Sequence, residues 1–243
     1  MRPEEYEKLA ATEDAHWWFV GLRNNLIGAF RLCGGKPSGR FLDAGCGTGA
    51  LVRKLVQAFP SSECVGVDLD ETACRFASRK STCSICVASV NETPFNDSAF
   101  DAIFSADVLC HAGVDVEASI GGFYKTLKSG GTLVMNLPAY PWLMSEHDRA
   151  VSNSRRFTRT EVRSLLSGAG FLAVRATYWN TILFPIMVLH RKLMAKGASS
   201  DVEEAPGAMN AVFKAVMGLE NWLLQRGMML PFGGSLLVTG LKP

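Results

Sequence analysis

Along residues 38–180, short apolar runs alternate with segments whose apolar residues recur every three or four positions. The short runs read as buried strands and the periodic segments as amphipathic helices. In order, this predicts a helix over 3–14, a second from His16 to about Leu32, and a linker over Gly34–Gly39. A strand ending at Phe41-Leu42-Asp43 follows, then a helix over 50–59, a strand over 63–68 and a helix over 71–80. Strands over 84–88 and 100–106, a helix over 115–128, the turn Ser129-Gly130-Gly131 and a strand over 131–137 continue the alternation. Thr158-Arg-Thr-Glu161 has the form of a helix start capped by Thr158 or Thr160, and Gly168-Ala-Gly170 of its end. Strands over 171–178 and 235–241 complete the set. Strands alternating with helices predict an α/β fold, a doubly wound and mostly parallel sheet.

Two stretches stand outside this rhythm. Residues 1–37 form an N-terminal helical cap in which Trp17, Trp18 and Phe19 are adjacent. Three consecutive aromatics on a helix cannot share one direction. Trp18 fits a core staple, whereas Trp17 and Tyr6 are candidates for a pocket wall. Residues 181–234 are an insertion where a short turn would join two strands. One apolar segment covers Thr181–Met194, with Pro185 near its start, and a second covers about Ala208–Met229. The Gly-, Ala-, Ser- and acid-rich stretch 196–207 separates them. Padding of the sheet, a homodimer contact, and a lid or platform for an apolar acceptor at a membrane surface are the readings open for this insertion. The remainder, 38–180 with 235–243, makes the core.

The densest chemistry lies in Phe41-Leu-Asp-Ala-Gly-Cys-Gly-Thr-Gly49. A strand that turns into a helix through Gly45, Gly47 and Gly49 lets a ligand approach bare main chain beside helix N–H donors. Gly45, Gly47 and Ala50 also satisfy G-x-G-x-x-G/A, with an acid about 20 residues on, so a dinucleotide must be weighed. Asp43 tips the balance, because its charge would repel a pyrophosphate and suits an ammonium group. Val65-Gly-Val-Asp68 ends a second strand in a carboxylate placed for ribose hydroxyls, while Asp70 is better placed to cap the next helix.

These segments, with Thr93-Pro-Phe95 and Phe100-Asp-Ala-Ile-Phe-Ser-Ala-Asp-Val-Leu-Cys-His111, occur in an order that resembles the class I S-adenosylmethionine-dependent methyltransferases, and within them the small-molecule branch called type 11. The resemblance covers about residues 38–175. It implies a seven-stranded, Rossmann-like methyltransferase fold with the last strand antiparallel, and S-adenosylmethionine as cofactor. Residue by residue, Gly45, Cys46, Gly47 and Gly49 would floor the cofactor, Asp43 would face its amino end, and Asp68 with Leu69 would hold the ribose. The acid usual near the adenine is absent here; Ser89 and Val90 occupy that position, and Ala106 borders the site. Cys46 is a filler position and no nucleophile.

Methyl transfer needs a positioned acceptor, a dry site and, for oxygen or nitrogen, a base. His147 with Asp148 or Glu146, and His111, are the candidates for acid–base work. A salt bridge of Asp148 with Arg156 that pins the loop, and a loop contact for His111, are the structural alternatives. Arg23, Tyr140, Trp142 and Arg156 join Trp17 and Tyr6 as candidate acceptor contacts, Arg23 through a carboxylate of cofactor or substrate. His190 reads as structural.

Net charge of +2 and a pI near 8.2, without a dense basic block, give no reason to expect nucleic acid. Cys83 and Cys86 have the spacing of a metal pair but no matching second pair, so no metal is expected. Seven scattered cysteines suit a reducing compartment, the opening Met1-Arg-Pro-Glu-Glu is unlike a signal peptide, and no apolar run reaches membrane-spanning length. Together these features predict a cytoplasmic protein, with the insertion leaving peripheral membrane contact open. The expected reaction is methylation of a small or lipid-like acceptor, oxygen before nitrogen or carbon. Methylation of a peptide or protein group, an NAD(P)-dependent oxidoreductase and a non-catalytic binding protein of the same fold are the alternatives.

Overall fold

The computed structural model describes residues 3–193 and 207–243, with main chain only at 3–5, 147 and 190–193. Helices α1 (Pro3–Thr12) and α2 (Trp17–Leu32) precede β1 (Gly39–Ala44). The alternating core follows as α3 (Ala50–Ala58), β2 (Ser62–Asp68), α4 (Glu71–Lys80), β3 (Ser84–Val87), β4 (Phe100–Ala106), α5 (Val116–Thr126) and β5 (Leu127–Pro138). A short α6 (Glu146–Ala150), then α7 (Arg159–Gly168) and β6 (Leu172–Trp179), lead to α8 (Phe184–Leu193), α9 (Gly207–Gln225) and β7 (Ser235–Leu241).

The strands form one seven-stranded sheet in the order β3-β2-β1-β4-β5-β7-β6. β1 to β5 are parallel, and β7 runs antiparallel between β5 and β6. The doubly wound sheet and antiparallel last strand implied by the resemblance are therefore present. The strand order reverses beside β1 and β4, the switch point where an open sheet leaves a crevice at its carboxyl edge.

Two apolar layers cover the sheet. On one face α2, α3 and α9 pack around Phe30, Phe41, Phe59 and Phe104, whose rings meet edge to face at 5.3–5.5 Å or tilted at 6.0 Å. On the other face Ile120 and Phe123 of α5 and Val162 and Leu166 of α7 cover Ile103, Leu133 and Met135. The caps match the local sequence. Asp70 accepts from the N–H of Thr72 and Ala73, and Thr158 with Glu161 closes a capping box that selects Thr158 over Thr160.

Several boundaries differ from expectation, among them the helix ends at Thr12, Thr126 and Gln225, and two of the differences have a local cause. β5 begins at Leu127 rather than 131, because Leu127 pairs with Phe100 before the Ser129–Gly130 loop, where the register shifts. β6 is displaced one residue, to 172–179, because the N–H of Phe171 is taken by the Leu166 carbonyl in closing α7. The helices of the insertion form as expected. The stretch between them, apart from Gly207, lies outside the described residues.

Candidate active site

The crevice begins where β1 meets α3. Gly45, Gly47 and Gly49 take φ values of 85°, 51° and 90°. A Cβ on Gly45 would lie 2.1 Å from a Val108 methyl, and one on Gly49 would lie 2.6 Å from the Ala77 main chain, whereas Gly47 faces open space. Gly45 and Gly49 are thus set by packing, and Gly47 is the bare surface that a ligand can approach.

Asp43 lies beneath this turn, 1 % exposed, and neither of its carboxylate oxygens has a hydrogen-bond partner. Burial, reinforced by Asp68 and Glu13, pushes its pKa to about 8; the nearby Val52 main chain offsets only part of this. A buried, unpartnered carboxylate is costly unless a cation meets it. An ammonium group is therefore the fitting neighbour. Asp68 ends β2 beside it, accepting from Gly47 N–H at 2.9 Å and Asp70 N–H at 3.0 Å. Each carboxylate oxygen has a further lone pair. Leu69, 72 % exposed, offers an apolar wall, and buried Val90 and partly open Ser89 follow β3. Cys46 is buried, and desolvation drives its thiol pKa far up, which removes it as a nucleophile.

The N-terminal segment is tied over this turn. Glu13, 6 % exposed, accepts from the Thr48 hydroxyl and from Lys80 on α4, while Asp14 pairs with Arg53 at 2.6 Å. Arg23 donates to the Glu13 carbonyl at 2.9 Å and is buried beside that knot. It is near the glycine turn, where the sequence placed a carboxylate partner. Tyr6, expected at a pocket wall, has its hydroxyl on Asp70, close to Asp68. Burial, Asp70 and Asp68 raise its pKa. Trp17 is corrected. Its ring meets Phe213 of α9 edge-on at 5.3 Å, so it faces the insertion, and its main-chain N–H donates to the Asn210 side-chain oxygen. Trp18 instead stacks on Trp179 at 5.8 Å.

Trp179 leads to a carboxylate that the sequence reading passed over. Its indole N–H donates to Asn136 at 2.6 Å, and the Asn136 amide meets both oxygens of Asp107 at 2.9 Å. Asp107 directly follows Ala106 at the carboxyl end of β4 and is half-buried. Val108, its neighbour, is the residue that packs on Gly45. Burial raises the Asp107 pKa to about 6, against the lowering by Asn136 and Arg156. The signal was a carboxylate standing where an apolar strand ends, inside a motif already singled out. Asp107, Tyr140 and Asn180, at the ends of β4, β5 and β6, all take φ values of 55–61°. Such non-glycine backbone strain concentrates at working sites.

The loop after β5 is held from below. Asp148, 1 % exposed, accepts from Arg156 at 2.7 and 3.1 Å and from Ser145, and Arg156 also donates to the Ala139 carbonyl at 3.0 Å. This replaces the expected contact of Arg156 with an acceptor: its guanidinium is engaged within the protein. Asp148 is likewise committed to pinning the loop. The side chain of His147, the favoured base, lies outside the described residues, although its main chain is in α6. His111 rests against the main chain of Val151 and Ser152, and burial lowers its pKa. Tyr140 stacks on Tyr178 at 5.0 Å, and Trp142 sits farther out, 57 % exposed, near Phe184.

An open α/β sheet with a glycine turn at its switch point, an acid on the neighbouring strand and an unpartnered carboxylate beneath defines a nucleoside-binding protein of the Rossmann-like class. Residues 42–135 match the model of the methyltransferase domain family. Over that segment the chain is similar to S-adenosylmethionine-dependent methyltransferases. Among curated relatives, 24-methylenesterol C-methyltransferase 2 of Oryza sativa is 32 % identical over 47 % of this chain and 32 % of its own length. Malonyl-[acyl-carrier protein] O-methyltransferase of Geobacter sulfurreducens is 31 % identical over 58 % of each chain. The chain thus spans about a third of the length of the first of these relatives. Of solved structures, phosphoethanolamine N-methyltransferase 2 of Haemonchus contortus, with S-adenosyl-L-methionine, superposes at a TM-score of 0.61, 17 % identity, covering 90 % of this chain and 52 % of that one. A possible histamine N-methyltransferase of Thermotoga maritima gives 0.60 at 19 % identity over 99 % and 96 %. At these identities the superpositions show the fold.

Proposed function

We propose that this protein binds S-adenosylmethionine in the crevice over Gly45–Gly49 and methylates a small or lipid-like acceptor. The observation that carries the reading is Asp43, buried with both oxygens unpartnered beneath the turn. It suits the cofactor's amino end, as Asp68 suits the ribose hydroxyls. When bound, S-adenosylmethionine supplies a methyl group already activated by the sulfonium charge. The chain's work is then to orient the acceptor, exclude water and manage a proton.

Asp107 is the group we assign to the proton. Asn136 and Trp179 fix its direction, and a pKa of about 6 leaves it mostly ionised near neutrality yet still basic. It can accept a proton from an oxygen or nitrogen acceptor, or stand opposite a cationic one. Arg156 and Asp148 set the loop beside it. Neutral His111 can donate or accept one hydrogen bond at the rim.

Relatives named for transfer to carbon, nitrogen and oxygen all match the chain, so oxygen holds no special place. The sterol and the phosphoethanolamine named for two of them support a small or lipid-derived acceptor, while the third is named for a malonyl group on acyl-carrier protein. Thermal shift and titration calorimetry with S-adenosylhomocysteine, against NAD and NADP, test the cofactor reading. Saturable binding of S-adenosylhomocysteine alone is expected; binding of a dinucleotide instead would overturn it. Transfer of label from S-adenosylmethionine to lipid extracts or small amines and acids then tests the acceptor class, and labelling confined to protein would exclude it.

A further inference from the structure

α9 buries Met217, Glu220 and Leu224 on the side toward the sheet. Its other side presents Ala211, Val212, Ala215, Gly218, Leu219 and Trp222, all exposed and at helical spacing. An exposed helix face ordinarily carries charge. This stripe has none until Arg226, whose guanidinium lies 3.5 Å over the Trp222 ring. Ile182, Ile186, Leu189, Met228, Met229 and Phe232 add side chains 42–60 % exposed. Of the fifteen exposed large hydrophobic residues among the described residues, ten belong to the insertion, so the apolar surface is concentrated there and not scattered.

Where side chains of the insertion are described, its charged residues are Lys214 and Arg226 with Glu220; Arg191, Lys192, Lys196, Asp201, Glu203 and Glu204 fall outside those described side chains. Glu220 is 1 % exposed and turned inward, where it accepts from the N–H of Thr181 and Ile182 ahead of α8. An apolar stripe with Lys214 and Arg226 beside it, and with the one acid among the described residues turned inward, matches the layered chemistry of an anionic membrane surface. Trp222 with Arg226 is the pairing of amphipathic ring and cation that anchors at a headgroup layer.

We propose that the insertion docks on a lipid bilayer bearing anionic headgroups. A second copy of the chain suits this face less well, because a two-fold contact brings a patch against itself and so cations against cations. No helix among the described residues is long and apolar enough to cross a membrane, so the contact is peripheral. The docked face continues to the rim of the crevice through neighbouring rings. Trp142 lies 6.4 Å from Phe184, and Phe184 lies 5.9 Å from Phe232. The proposal is independent of cofactor binding and of the acceptor.

The test is co-sedimentation of the full chain with phosphatidylcholine vesicles and with phosphatidylcholine–phosphatidylglycerol vesicles, at low and high salt. Calorimetry with S-adenosylhomocysteine runs on the same samples. Retention on the anionic vesicles, weakened by salt, is expected. Arg226→Gln should weaken it about fivefold, and Leu219→Asp with Trp222→Asp more than about tenfold, with nucleoside affinity unchanged in both. Lack of retention by the wild-type chain, or equal retention by the double variant, would overturn the proposal. A concentration-dependent dimer in sedimentation velocity that the double variant dissolves would overturn it in favour of a second copy.

Discussion

Replacing Asp43 by Asn should make the cofactor-free protein more stable and the cofactor bind worse. In the folded chain burial holds the Asp43 pKa at about 8, against an ordinary value of 3.8. As pH rises, the unfolded chain ionises first, while folded Asp43 keeps its proton until about pH 8. Stability from this group is therefore intact below pH 4, falls by about 1.4 kcal/mol per unit between pH 4 and 8, and is level above that. At pH 7 the accumulated loss is on the order of 4 kcal/mol. Asn stays neutral and escapes it, but its buried amide has polar atoms to satisfy, which costs about 1–3 kcal/mol. The net expectation near pH 7 is a gain of about 1–3 kcal/mol, or a Tm rise of roughly 2–12 °C. Urea unfolding of both proteins at pH 5, 6, 7 and 8 checks this, because other titrating groups cancel in the difference. The gap between variant and wild type must widen with pH. S-adenosylhomocysteine affinity should fall about ten- to hundredfold through loss of the ionic partner. A gap that stays flat or narrows, or an unchanged affinity, would refute the reasoning.

Three further outcomes are expected. Asp68→Ala removes the acceptor for the ribose hydroxyls and for Gly47 N–H, and should weaken S-adenosylhomocysteine binding about tenfold or more by calorimetry. Asp107→Asn should leave that affinity near wild type while lowering turnover about a hundredfold; wild-type kcat should rise with pH through about 6, where Asp107 loses its proton, and the variant should lose that limb. Arg156→Leu strands the Asp148 carboxylate at 1 % exposure and should lower stability by about 3–5 kcal/mol, a Tm fall of about 10 °C in calorimetry.

The order of elements and the glycine turn were legible in the chain because both are local. Strand and helix periods are written in consecutive residues, and a glycine turn with Asp43 at one strand end and Asp68 at the next needs only a parallel sheet to bring the two acids together. The acceptor side was not legible in this way. Trp17 and Trp18 are adjacent in sequence and differ only in rotation about α2; packing against α9 takes one to Phe213 and the sheet takes the other to Trp179. Asp107, Asn136 and Trp179 come from the ends or interior of β4, β5 and β6, which are far apart in the chain and, with β7 between β5 and β6, not all neighbours in the sheet, so their hydrogen-bonded line exists only after the sheet is assembled. Whether Arg156 is free for a ligand depends on the loop folding back to Asp148, eight residues earlier. Sequence alone determined which residues could meet a sulfonium nucleoside, since main-chain conformation and strand ends decide that. Tertiary structure decided which polar groups remain unpartnered, because burial and long-range hydrogen bonding set the charge and reach of each one.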